Sequence, residues 1–243
     1  SVQGLSLRVT SCRQPSPALR SPIYPSFTMS AEHPCLQVHD LCFAYPCRPL
    51  WTGWSHRFAP GLHPVCGGDG EGKTTLLRLL AGQLAPQQGQ VLLQLSGASG
   101  LLSPSPAYDA QVFWIDPRQP ALPPPQGLTP AQWLDTLPGR HPCWDAQALQ
   151  THVAGWALAP HLNKPFFALS TGTQRKVFMA AALASGAALT LIDEPVAGLD
   201  KASVVYLTEA LDRLAGDPAR VVIVAHYEVL PGVRWRNMVQ LAA

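Results

Sequence analysis

The stretch CGGDGEGKTTLLRLLAG, running from Cys66 to Gly82, carries residue types at a spacing that can bind phosphate. Gly67, Gly72, Lys73 and Thr74 fit G-x-x-x-x-G-K-[ST]. Successive N–H groups of such a glycine-rich loop point inward as an anion nest, and the helix that follows adds about half a positive charge at its N-terminus. Gly67, Gly70 and Gly72 let the backbone approach phosphate oxygens with no Cβ in the way. Lys73 would reach the β- and γ-phosphates, and Thr74 offers a hydroxyl to Mg²⁺. The plain alternative is a glycine turn with a surface lysine. The flanks favour the loop: HPVC before it reads as a short buried strand, and KTTLLRLLAG after it has helical spacing and stops at Gly82.

Two further segments carry chemistry. ALTLIDEPVAGLD is an apolar strand that ends on Asp193 and Glu194. A strand of that kind delivers acids to a ligand edge, where Asp193 can hold Mg²⁺ and Glu194 can polarise a water. An ordinary Asp-Glu-Pro turn is the competing reading. FFALSTGTQRKVFMAAALA offers Ser170 as a helix N-cap, Gly172 as a small residue in the first turn, and an apolar helix behind them. Taken alone, it is a normal capped helix.

The elements that must position these residues follow from periodicity and turn chemistry. CLQVHDLCFAY suggests a strand pair, QVLLQL and QVFWI are strands, and GASGLLSPSPAYDA reads as a polar loop. PRQPALPPPQG must be irregular, because proline denies a ladder its donors. Thr129-Pro130 opens a helix over TPAQWLDTL, and DAQALQTHVAGWAL is a second. ALTLI and RVVIVA are strands, with KASVVYLTEALDRLAG a helix between them. Strands alternating with helices predict an α/β fold with a mainly parallel sheet and the ligand at the strands' C-terminal ends. The middle, about 120–168, lacks strands and reads as a helical insertion.

Composition bounds the rest. The chain has 243 residues, 47 % of them apolar and only 13 % charged, which is enough for a sizeable core. A net charge of +2 without any Lys/Arg run argues against nucleic acid as a partner. The six cysteines form no C-x-x-C pair and read as reduced thiols of a cytoplasmic protein. No apolar run approaches the ~20 residues that a bilayer span needs. Residues 1–28 contain Arg8, Arg13 and Arg20, no acid, and many Ser and Pro, and are expected to be a disordered extension ahead of a folded unit over 29–243. A transit peptide shares that bias.

Laid out in order, the segments resemble the ATP-binding cassette (ABC) ATPase family across Cys35 to Leu241. GGDGEGKTT, which is Gly67, Gly68, Asp69, Gly70, Glu71, Gly72, Lys73, Thr74 and Thr75, matches its Walker A motif. Tyr45 in LCFAY matches the aromatic that stacks on adenine. Gln119 falls where the Q-loop glutamine stands, and LSTGTQ aligns with the signature LSGGQ. LTLIDEP matches Walker B with its catalytic glutamate, AGLD matches the D-loop through Asp200, and His226 matches the switch histidine. Thr171 and Thr173 depart from the commoner Gly and Gln, while Ser170 and Gly172 are kept. GTPases are disfavoured, since NKPF at 163–166 lacks the aspartate of N-K-x-D.

The resemblance implies a P-loop NTPase fold with a small antiparallel β part and a helical subdomain. ATP and Mg²⁺ would bind between Walker A of one copy and Ser170, Thr171 and Gly172 of another, in a homodimer or paired cassette. Thr74, Gln119 and Asp193 would arrange the metal, while Glu194, His226 and Gln119 would serve hydrolysis. Two uses fit such a motor. One is transport through a separately encoded transmembrane permease, with the chain peripheral on the inner face of the cell membrane. The other is soluble work of the iron–sulfur-assembly type. Trp133, Trp144 and Trp156 in the helical middle either form the docking surface or pack in the core.

Residues 1–28 lack the apolar side chains needed to offset an ordering entropy of roughly 1–2 kcal/mol per residue. A chain starting at Met29 is therefore expected to melt at the same temperature as the full chain and to hydrolyse ATP equally well. A drop of several degrees in a thermal melt would show that the extension packs on the cassette.

Overall fold

A computed structural model of the chain describes residues 33–115 and 127–241. The central sheet holds β3 (Gly61–Cys66), β6 (Val112–Ile115), β7 (Leu189–Asp193), β8 (Val221–His226) and β9 (Val239–Gln240) in the order β6-β7-β8-β3-β9. All its pairings are parallel. Every residue of β3, β7 and β8 is buried, and these strands are mostly apolar, as suits a sheet covered on both faces.

The two faces divide the strand residues by alternation. Val221, Ile223 and Ala225 face α1 (Lys73–Leu80), whose Leu76, Leu77, Leu79 and Leu80 are fully buried. Val222 and Val224 join the other cluster, with α5 (Thr171–Ala184) and α6 (Lys201–Leu214). From Val177 to Ala184 every side chain of α5 is buried, which makes it a central helix, apolar all round. Its C-terminal end is closed by the buried Arg220, whose guanidinium donates to the Leu183 and Ala182 carbonyls at 2.9 and 3.0 Å and to Thr190 Oγ1 at 2.8 Å. A cation there complements the helix dipole.

A second, antiparallel sheet covers α1 in the order β2-β1-β4-β5, with β1 Cys35–Tyr45, β2 Arg48–Phe58, β4 Gln88–Gln94 and β5 Leu101–Leu102. CLQVHDLCFAY is thus one bulged strand, not a pair. The bulge falls at Asp40, φ 46°, and the partner strand is the adjoining RPLWTGWSHRF. The stretch read as a polar loop holds β5 and a short helix α2 (Pro106–Asp109), anchored by the fully buried Tyr108, whose hydroxyl donates to the Leu80 carbonyl at 2.5 Å.

Between β6 and α5, helices α3 (Pro130–Leu134) and α4 (Ala146–Gly155) begin where the caps require. Thr129 and Gln132 form a reciprocal capping box, and Asp145 accepts from the Ala148 N–H at 2.8 Å. The tryptophans here belong to the core. Trp133 is 4 % exposed and meets Phe166 and Phe178 edge-on at 5.8 and 5.4 Å. Trp156 is also buried, and its Nε1 donates to the Ser203 carbonyl of α6 at 3.2 Å, while Trp144 packs partly buried on the same cluster. Their docking role is replaced by a structural one: they weld the helical lobe to α5 and α6.

Emptying such a site leaves a cavity that close-packed neighbours fill only in part. Trp133→Ala is expected to destabilise the fold by about 3–5 kcal/mol in denaturant titration. An effect below about 1 kcal/mol would mean that the lobe does not depend on this ring.

Candidate functional site

Register places the site. Pairing of β3 with β8 sets Cys66 against His226, and pairing of β7 with β8 sets Asp193 against Ala225. The phosphate loop, the Asp193–Glu194 turn and His226 therefore emerge side by side at the C-terminal edge of one sheet.

The loop enters α1 through Gly72 at φ 101°, a left-handed conformation that costs a residue with a Cβ energy. Here α1 differs from the other five described α-helices. Ser105, Thr129, Asp145, Ser170 and Asp200 each cap their helix by accepting a backbone N–H, whereas α1 has no side-chain cap. Its first N–H groups are left for a ligand. Asp69, Gly70, Gly72, Lys73, Thr74 and Thr75 line a cleft of about 100 Å³ at that point. Lys73 is buried, and its Nζ donates to the Gly67 and Gly68 carbonyls at 2.7 and 3.0 Å.

From Lys73 a charged chain crosses the strand ends. Its Nζ lies 3.5 Å from Glu194 Oε1, and Glu194 Oε2 accepts from His226 Nδ1 at 2.8 Å. A carboxylate only accepts, so the imidazole proton sits on Nδ1. That hydrogen bond, with the charge of Lys73 behind it, holds the Glu194 carboxyl below the usual carboxylate range against the opposing effect of burial. Glu194 has φ 46°, and its N–H still donates to the Ala225 carbonyl at 2.9 Å. A left-handed turn at a non-glycine directly after a strand is stored strain of the kind that functional sites tolerate. It turns the carboxylate back across the sheet edge.

Thr74 Oγ1 donates to Asp193 Oδ2 at 2.6 Å, and Asp193 is 1 % exposed. A hydroxyl and a carboxylate in contact beside a phosphate loop are a hard-oxygen donor set that fits Mg²⁺. No group of three or more His, Cys, Asp or Glu able to hold a metal occurs among the described residues, so such an ion would keep waters and substrate phosphates as its other ligands. Tyr45 is brought to the loop with its hydroxyl 3.3 Å from Thr75 Oγ1 and its ring 42 % exposed.

The remaining expected residues are placed apart. None of Ser170, Thr171 and Gly172 lines the cleft. Ser170 caps α5, accepting from the Thr173 N–H at 3.2 Å, and a Cβ on Gly172 would meet the Gly198 carbonyl oxygen at 2.4 Å. The glycine at 172 is thus required by a backbone crossing within this chain. Asp200 caps α6 through the Ser203 N–H at 2.8 Å and pairs with Lys176 Nζ at 2.9 Å, which together hold its carboxyl well below the usual range. Gln119 lies outside the described residues.

Sequence reading missed Arg48, whose guanidinium comes within 3.7 Å of where a Cβ on Gly70 would stand, and the pair Arg175 and Lys176. Arg175 donates to the Ala197 carbonyl and Lys176 reaches Asp200, so the start of α5 is tied to the turn after β7. The Pro46–Cys47 turn was the one signal that could have brought Arg48 to the loop. For the two others only their place on the first turns of α5 hinted at a role.

Comparison with known proteins identifies the family. The ABC transporter family model matches residues 61–197. A cytochrome c biogenesis ATP-binding export protein CcmA of Pseudomonas syringae pv. tomato is 32 % identical over 200 residues, covering 82 % of this chain and 91 % of its own. The protein of the same name from Cupriavidus pinatubonensis is 30 % identical, covering 83 % and 87 %. Among solved structures, an ABC transporter ATP-binding protein from Pyrococcus furiosus superposes with a TM-score of 0.66 at 20 % identity, covering 85 % of this chain and 97 % of its own, which is a likeness of fold. These relatives lend no support to the iron–sulfur-assembly alternative. The chain belongs to the ABC transporter family, as an ATP-binding, ATP-hydrolysing subunit.

Proposed function

We propose that the chain is the motor of an exporter serving cytochrome c maturation, and that the line Lys73–Glu194–His226 beside Thr74–Asp193 is its hydrolytic centre. That line is the observation that carries the reading: a cation, an ionised carboxylate and an imidazole stand in contact at the mouth of a phosphate loop. Export is supported by the relatives that match over four-fifths of the chain, which are export proteins of cytochrome c biogenesis.

In this reading the loop N–H groups from Asp69 to Thr75 and the Lys73 ammonium take the ATP phosphates, and Tyr45 stacks on adenine. Mg²⁺, which Thr74 and Asp193 would hold, would neutralise phosphate charge. Arrival of the γ-phosphate draws Lys73 off Glu194. The freed carboxylate orients a water and takes up its proton, while His226 keeps the carboxylate in place. Catalysis is positioning plus electrostatics.

The placement of Ser170–Gly172 outside the cleft supports a head-to-tail pair, in which ATP bound to one copy meets the α5 N-terminus of the other. ATP then closes the pair and hydrolysis reopens it. We take 29–243 as the cassette and about 120–168 as its helical lobe.

No helix among the described residues is long and apolar enough to cross a membrane, so attachment would rest on a permease. A groove of about 590 Å³ between the end of α1, β6 and α3 fits such a partner. Its lining includes Phe113, Trp114, an edge of the buried Trp133, Leu137, Asp109 and Arg140, an aromatic and apolar floor with one acid and one arginine. The chain would then sit on the inner face of the cell membrane.

Glu194→Gln is expected to keep MgATP binding and to slow hydrolysis by about 10²-fold or more, whereas Lys73→Ala should weaken binding itself. Equal turnover by wild type and Glu194→Gln would remove Glu194 from the chemistry. Expressed with its neighbouring genes, the chain should enter the membrane fraction and leave it with detergent but not with high salt, which would release a charge-held protein. Recovery of the chain only in the soluble fraction would overturn the transport reading.

A further inference from the structure

Glu71 is the loop residue whose side chain ATP binding leaves without a role. Its Oε2 accepts from the Gly68 N–H at 2.6 Å, and its own N–H reaches the Gly68 carbonyl at 3.4 Å. Two bonds in opposite senses close residues 68–71 into a bracket, much as a capping box closes a helix start.

Direction decides what the bracket does. The Gly67 carbonyl points into the loop, onto Lys73 Nζ at 2.7 Å. The 67–68 peptide is not among the cis bonds, and in a trans peptide the N–H points opposite to the carbonyl. The Gly68 N–H therefore faces outward, and the Glu71 carboxylate takes it from the outer side. Two other observations agree. The phosphate cleft is lined by Asp69, Gly70 and Gly72–Thr75, with neither Gly68 nor Glu71 among them. A Cβ on Gly67 would strike Glu71 Oε2 at 2.5 Å and come within 3.1 Å of Leu241 Cβ, so the carboxylate sits behind the loop, beside the residue that follows β9.

We propose that Glu71 is a positioning residue that braces the phosphate loop from behind. It holds the Gly67 and Gly68 carbonyls on Lys73 and keeps the loop's N–H groups turned to the cleft before ATP arrives. The proposal rests on the loop being the ATP site and adds an affinity determinant to it. A loop with Gly67, Gly68, Gly70 and Gly72 has much freedom to lose on binding, and a brace removes part of that cost in advance. The charge of Glu71 acts in the opposite sense, because a carboxylate near a triphosphate repels it. Brace and charge thus predict opposite signs, and two substitutions separate them. Glu71→Gln keeps an acceptor oxygen and drops the charge. Glu71→Ala drops both.

Binding of a fluorescent ATP analogue with Mg²⁺ to the full chain reads the outcome, together with steady-state ATPase kinetics and the melting temperature without nucleotide. Glu71→Gln is expected to bind at least as tightly as wild type, and Glu71→Ala about threefold or more weaker than Glu71→Gln. The change should fall on KM for ATP more than on kcat, with an unchanged melting temperature. Equal affinity of the Ala and Gln variants would overturn the brace and leave only the charge. Lys73→Ala is the control: if it binds the analogue like wild type, the ATP-site reading has failed rather than the brace.

Discussion

The site depends on the parallel pairing of β7, β8 and β3. Each strand is buried along its length, so its register is set by packing on both faces at once. That register ends β3 at Cys66 beside His226 and ends β7 at Asp193 beside Ala225. A slip by one residue would turn every strand side chain to the opposite helix layer and carry His226 away from Glu194. Three segments far apart in sequence thereby share one sheet edge, with α1 on one face and α5 on the other. The strained turn at Glu194 persists because the backbone before it is locked in the ladder and the carboxylate beyond it is held by two partners.

The contrast between α1 and the other helices shows function taking precedence over local stability. A side-chain N-cap contributes about 1 kcal/mol, and five of the six described α-helices have one. The helix after the phosphate loop goes without, and its buried Lys73 is held by the Gly67 and Gly68 carbonyls and Glu194. Those partners are ones a triphosphate can replace. The same donors that stay uncapped in the free chain are the ones a phosphate would satisfy.

A second backbone crossing joins the start of α5 to the turn after β7. Gly172 lies against the Gly198 carbonyl, Arg175 donates to Ala197, and Lys176 pairs with Asp200. The serine that caps α5 and the glutamate that follows β7 are thus joined through a few closely packed residues. The join combines one close backbone approach, at Gly172, with two side-chain bonds from Arg175 and Lys176.

Much of the site was legible in the sequence, and for a physical reason. Phosphate loops, caps and strand-ending acids are local devices, so GGDGEGKTT, Thr129-Pro130, Asp145, Ser170 and the run into Asp193-Glu194 announce themselves within a few residues. The core strands could be read because burial on both faces leaves them mostly apolar. Elements stabilised from a distance could not. β2 carries Arg, Ser and His among its apolar residues, because it is an edge strand of the antiparallel sheet. β5 and α2 are too short to show a period and are held by Tyr108 reaching across to Leu80. Trp133 and Trp156 have the same composition whether exposed or buried, and only the packing of α5 and α6 put them inside. The side-chain directions were beyond sequence for the same reason: Glu71 turned behind its loop and Asp200 onto Lys176 because a carboxylate goes to whichever donor the folded backbone brings within reach.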